Sequence, residues 1–70
     1  MKLDLIQERL RESIRGATLT QKEIAKAIDV SPQTVSKYMK CNVFPALDTL
    51  AKLCKLLDIS ADYILGLSEQ

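Results

Sequence analysis

Gln33, Ser36, Lys37 and Lys40 are the side chains with the most chemistry to offer in this chain. At 100° per residue they share one face of a helix, while Val35, Tyr38 and Met39 share the other. The second face gives an apolar core something to hold. The first presents an amide, a hydroxyl and two ammonium groups, which suit base edges and phosphates. Gln can pair with adenine N6 and N7, and Lys can donate to guanine O6 and N7.

The elements that would position this face are written in the preceding residues. Ser31 followed by Pro32 is an N-cap with proline at the first helical position. Eleven residues earlier, Thr20 and Glu23 form a capping box, each able to bond the other's backbone N–H. Between the two starts, Ile24, Ala25 and Ile28 give the earlier helix an apolar face. Only Asp29 and Val30 remain for the joint. Two short helices so tightly joined read as helix-turn-helix, a device that places its second helix in the major groove.

Other chemistries are poorly supplied. The chain has no histidine, no clustered carboxylates and no phosphate-cradling glycine loop, so no acid–base or nucleophile set can be assembled and no enzyme is expected. Its two cysteines, Cys41 and Cys54, are not a C-x-x-C pair, so neither a metal site nor a cofactor is expected. Cys54 falls in an apolar helical stripe and reads as a core residue, whereas Cys41 follows the polar-faced helix and reads as exposed. No apolar run approaches the roughly 20 residues of a membrane span, and Met1 to Arg15 is charged throughout, unlike a secretory signal. A soluble, cytoplasmic protein is expected.

Seventy residues, 47% hydrophobic and 27% charged, imply one globular domain spanning 1–70 with one small core. With 4% aromatics the core is aliphatic, and two Gly and two Pro are too few for a many-turned β protein. The net charge of +1 hides a polarity: residues 1–42 carry eight basic and five acidic side chains, residues 43–70 two and four. The first half can therefore meet phosphates, with modest long-range steering.

The fold class read from the pattern is all-α with five helices. The first spans about 2–15, with Leu3, Ile6, Leu10 and Ile14 inward, surface pairs Glu8–Arg11 and Glu12–Arg15, and Gly16 as a left-handed cap. Ala17 and Leu19 turn inward before Thr20. After the polar-faced helix, Phe44 plugs the core from the connection and Pro45 marks the entry to a fourth helix at about 46–57. That helix directs Leu47, Leu50, Leu53, Cys54 and Leu57 inward, is poorly capped at Ala46, and can pair Asp48 with Lys52. Asp58-Ile59 breaks it. Ser60 caps a short fifth helix that ends at Gly66.

Leu19-Thr20-Gln21-x-Glu23-Ile24-Ala25, Val30-Ser31, Pro45-x-Leu47-Asp48-Thr49-Leu50 and Leu57-Asp58-Ile59-Ser60 together resemble the Cro and lambda-repressor type of helix-turn-helix, the XRE family. The likeness covers about residues 5–67. It implies a five-helix lambda-repressor-like domain, with the helix-turn-helix in helices two and three, that binds operator DNA as a dimer. By position it implies that Ser31, Pro32, Gln33, Thr34 and Lys37 face or adjoin bases. It places Gln21 on a phosphate, with Lys40 and Asn42 where the following loop approaches the backbone; Ser36 joins this phosphate-contacting group. Pro32 could touch a thymine methyl. Three features depart from the family. Asp29 stands where members commonly have turn Gly, and Asp tolerates the left-handed region better than most residues. Cys41-Asn42 replaces a Gly, with Asn42 expected in the left-handed region. Ile14 and Met39 replace an Arg–Glu pair, so an apolar contact is expected.

The function expected is a sequence-specific DNA-binding transcriptional regulator, a repressor, on a palindromic operator in double-stranded DNA. One recognition helix contacts few base pairs, so a homodimer is expected. Tyr63, Ile64, Leu65 and Leu67 supply more apolar groups than a small core needs at its end, in the more acidic half of the chain, and with the end of helix four are the expected dimer face; the alternative is that Ile64 and Leu65 are internal and Leu67 is the main contact. The alternative is a protein-interaction module, such as an antitoxin or partner-binding subunit. A face that had lost DNA would carry acidic or apolar residues, whereas Gln33, Ser36, Lys37 and Lys40 suit DNA. Any regulatory signal would come through a protein partner, through a fused domain outside these residues, or through concentration.

Overall fold

The computed structural model describes residues 2–69 and contains five α-helices: α1 (Leu3–Arg15), α2 (Gln21–Ile28), α3 (Pro32–Lys40), α4 (Leu47–Leu57) and α5 (Ala61–Ile64). The all-α expectation holds. Helix α3 packs against both α1 and α2, α4 lies on α2, and α5 closes the far side against α1 and α4. Leu10, Ile24, Ile28, Val35, Leu53 and Ile64, drawn from all five helices, are fully enclosed at the centre. Aliphatic burial of this kind stabilises each such side chain by about 1.5–3 kcal/mol before entropy is counted.

Three helices end in the same way, with a left-handed residue that lets the next N–H reach back five residues. At the end of α2, Asp29 has φ 63° and Val30 N–H donates to Ala25 O at 2.9 Å. After α4, Asp58 has φ 55° and Ile59 N–H donates to Cys54 O at 3.0 Å. After α5, Gly66 has φ 78° and Leu67 N–H donates to Asp62 O at 2.8 Å. A Cβ on Gly66 would also press on the end of the Leu5 side chain at 3.0 Å, which would have to shift.

Several expectations are corrected. Gly16 is not left-handed; it has φ −79° and ψ −7°, and simply extends the last turn of α1 by bonding Glu12 O. Leu3 and Leu47, placed inward by periodicity, are 57% and 84% exposed. Both sit in the first turn of their helices, where the chain arrives from outside. They border an open apolar groove of about 190 Å³ whose lining includes Phe44, Pro45 and Leu65. Arg11 does not pair with Glu8; its guanidinium turns to Glu12 at 4.0 Å and to the Met39 carbonyl. The Glu12–Arg15 pair forms, at 3.6 Å. Phe44 packs against the core as expected, and Ala46 gives α4 no side-chain cap.

Candidate nucleic-acid interface

The turn that aims α3 is built from its two caps. Thr20 Oγ1 accepts from Glu23 N–H at 3.1 Å, and Glu23 Oε1 accepts from Thr20 N–H at 2.8 Å, so the capping box is complete. These bonds, the Thr20 backbone N–H first and its hydroxyl second, hold the Glu23 carboxyl below its ordinary pKa. Ser31 Oγ caps α3 by accepting from Thr34 N–H at 3.1 Å, with Pro32 at the first helical position. Between the end of α2 and the Ser31 cap lie Asp29, left-handed, and Val30, which packs on the core. A two-residue joint therefore fixes the angle between α2 and α3.

Helix α3 is divided as its periodicity implies. Val35, Tyr38 and Met39 are buried, while Pro32, Gln33, Lys37 and Lys40 are exposed and Thr34 and Ser36 are half-buried. Gln33, Lys37 and Lys40, at spacings of four and three, form one outward ridge. Ser31 is exposed, but its hydroxyl and that of Thr34 lie 2.8 Å apart and share a bond. Gln21 is exposed as the first residue of α2, and Asn42 is exposed and left-handed at φ 53° just past α3. Asn42 thus takes the role that Gly often has after this helix. Ile14 and Met39 are buried in one core rather than charged.

At the other end of the molecule the expected dimer residues separate. Ile64 is completely buried within its own chain and drops out of any contact surface. Tyr63 and Leu65 are half-buried against the core, and Leu67 is 67% exposed. Burial raises the pKa of the Cys54 thiol, as befits a core residue, while Cys41 is exposed. Tyr38 is likewise raised, first by burial and then by the charge of Asp48.

Three side chains that matter here went unforeseen. Gln7 is only 8% exposed, and its amide donates to Tyr38 O at 3.2 Å and to Lys37 O at 3.5 Å. Arg11 Nη1 lies 3.5 Å from Met39 O. Arg9 stacks over the Tyr63 ring at 4.3 Å and donates to the carbonyls of Tyr63 and Ser68. A signal for Gln7 existed: it falls within the apolar stripe of α1, where a polar group must find a partner.

A short all-α core that presents a capped, polar-faced helix after a two-residue turn defines a helix-turn-helix domain. The Helix-turn-helix family matches residues 8–64, and the chain belongs to that family in its XRE-type form. It is 39% identical over 62 residues to the HTH-type transcriptional regulator ImmR of Bacillus subtilis, covering 89% of this chain and 49% of the relative. It is 36% identical to the uncharacterized HTH-type transcriptional regulator YobD of the same organism, over 89% of this chain and 55% of that one. The chain thus spans about half the length of these curated relatives. No solved structure gives a significant match. Among the described residues, no helix is long and apolar enough to cross a membrane.

Proposed function

We propose that this chain is a sequence-specific DNA-binding transcriptional regulator that acts in the cytoplasm by inserting α3 into the major groove. The observation that carries the reading is the division of α3: a buried Val35, Tyr38 and Met39 face holds the helix, and the opposite ridge of Gln33, Lys37 and Lys40 is free to meet DNA. In this reading Gln33 and Lys37 read bases, with Ser31, Pro32 and Thr34 against the base edges at the helix start. Gln21, Ser36, Lys40 and Asn42 bond phosphates and fix register, which carries no sequence information. The names of the relatives support regulation of transcription. Repression follows if the bound protein simply occludes the promoter.

The same reading includes a homodimer on a palindromic operator. With Ile64 internal, the dimer face consists of Tyr63, Leu65 and above all Leu67. Its twofold axis would set the two α3 helices about 34 Å apart, one turn of duplex. Selection from randomised duplexes followed by a salt titration tests the whole: a defined site and a steep loss of affinity with salt are expected. Failure to enrich any sequence would overturn it and leave a protein-interaction role. Sedimentation with and without the selected duplex tests the dimer. A strict complex of one monomer on one half-site would remove it.

A further inference from the structure

We propose that Gln7, aided by Arg11, is a positioning residue for base reading: it fixes α3 from behind by bonding the carbonyls that its last turn leaves free. This rests on the reading of α3 as the recognition helix. A helix cannot satisfy its last four carbonyls internally. In α3, counted through its cap residue Cys41, these belong to Tyr38, Met39, Lys40 and Cys41. Lys37 O accepts the last helical bond, from Cys41 N–H at 2.9 Å, and among the described residues none of the four that follow receives a backbone bond. Tyr38 O accepts from the Gln7 amide at 3.2 Å, and Met39 O faces Arg11 Nη1 at 3.5 Å. Gln7 and Arg11 are four residues apart and so lie on one face of α1. One helix thus offers donors to three consecutive carbonyls of the other.

The consequence follows from the kind of contact each face makes. Val35, Tyr38 and Met39 hold α3 by apolar packing, which is not directional and tolerates small rotations and slides. A hydrogen bond is directional and weakens steeply as its angle opens. The Gln7 bond therefore sets the rotation of α3 about its axis and its position along it. Those two quantities decide where Gln33 and Lys37 arrive relative to base edges. The bond is sheltered, since Gln7 is buried, so water cannot readily replace it. Gln7 itself lies on the side of α3 opposite the polar ridge and touches no base in this arrangement.

The test compares Gln7→Met, which keeps the volume and removes the donor, with Ile6→Val, a control in the same helix and core that removes a methylene and no bond to α3. Both are made in an Asp58→Gly background, far from the turn, to protect folding, which circular dichroism checks. The probes are a duplex recovered by selection and a scrambled duplex of equal composition. Gln7→Met is expected to lower the ratio of the two affinities about fivefold, the worth of one net hydrogen bond. Ile6→Val is expected to leave that ratio unchanged. An unchanged ratio in Gln7→Met, or equal falls in both variants, overturns the proposal. The unmodified chain gives a reading that needs no variant: the Gln7 side-chain amide protons should exchange slowly, and fast exchange overturns the bond itself. If Gln33→Ala and Lys37→Ala also leave sequence preference intact, the reading of α3 falls; if they relax it and Gln7→Met does not, only the positioning role falls.

Discussion

Replacing Asp29 with glycine should make the protein more stable. Asp29 ends α2 at φ 63° and ψ 47°, in the left-handed region. An L-residue there costs roughly 1–2 kcal/mol, less for Asp than for most. The exposed carboxylate makes no hydrogen bond or ion pair among the described residues that would be lost with it. Its charge sits between the unfavourable C-terminus of α2 and the favourable N-terminus of α3, so the two dipole contributions nearly cancel. Glycine removes the strain but frees the unfolded chain, returning about 0.5–1 kcal/mol. The balance is a gain of about 0.5 kcal/mol with an upper limit near 1. For a domain of this size that is a rise of roughly 2–8 °C in Tm. Asp58 provides a replicate in the same molecule, with φ 55° and ψ 49° after α4. Urea and thermal melts of Asp29→Gly, Asp58→Gly and the double variant are expected to show gains that add, since the sites share no partners. Alanine at either position keeps the strain, has no short polar side chain to bond locally, and should lose stability. A less stable Asp29→Gly, or an alanine variant as stable as the parent, would refute the reasoning.

Replacing Gln33 or Lys37 with Ala should cost about 1–3 kcal/mol on the selected duplex and relax preference at particular base pairs, measured by repeating the selection. Lys40→Ala should weaken selected and scrambled duplexes alike and lower the salt slope by about one unit; a loss confined to the selected duplex would contradict a phosphate role. Glu23 has a pKa depressed by the Thr20 N–H and hydroxyl, so its contribution is fully present above the unfolded value. That contribution is lost as pH falls through the lower, folded value. Glu23→Gln should therefore flatten the acid limb of the stability curve, which melts between pH 2 and 6 can follow. Leu67→Glu is expected to weaken self-association in sedimentation while leaving the melting temperature of the monomer unchanged.

Much of the architecture was legible because it is local. The caps at Thr20, Ser31 and Ser60 are written in consecutive residues, and each forms its expected backbone bond. The left-handed positions at Asp29 and Asn42 followed from the places where glycine is absent. The two faces of α3 followed from periodicity alone. Where the reading failed at Leu3 and Leu47, periodicity was still right about the face. It could not say that the first turn of each helix extends past the edge of the core. Gly16 failed for a related reason: glycine permits a left-handed cap but does not require one, and here the chain continues with right-handed geometry into Ala17, whose N–H bonds Ile14 O.

The bonds that escaped notice join a side chain to a backbone carbonyl far away in sequence: Gln7 to Tyr38, 31 residues on, and Arg9 to Tyr63 and Ser68, 54 and 59 residues on. Sequence spacing reports on neighbours along one helix, and every carbonyl looks alike in a sequence. Periodicity could show that Gln7 faces inward, and burial then demanded a partner, but only the packing of α1 on α3 names it. The same logic separates Ile64 from Leu67. Both are apolar residues near the C-terminal end of the chain, and composition gave no means of telling them apart. In the fold Arg9 bonds the Tyr63 carbonyl and Gly66 turns the chain beside Leu5, with Ile64 buried in the core and Leu67 at the surface. In the proposed reading, polar groups of α1 thus bear on both ends of the interface problem: how α3 is presented, and which apolar groups remain outside.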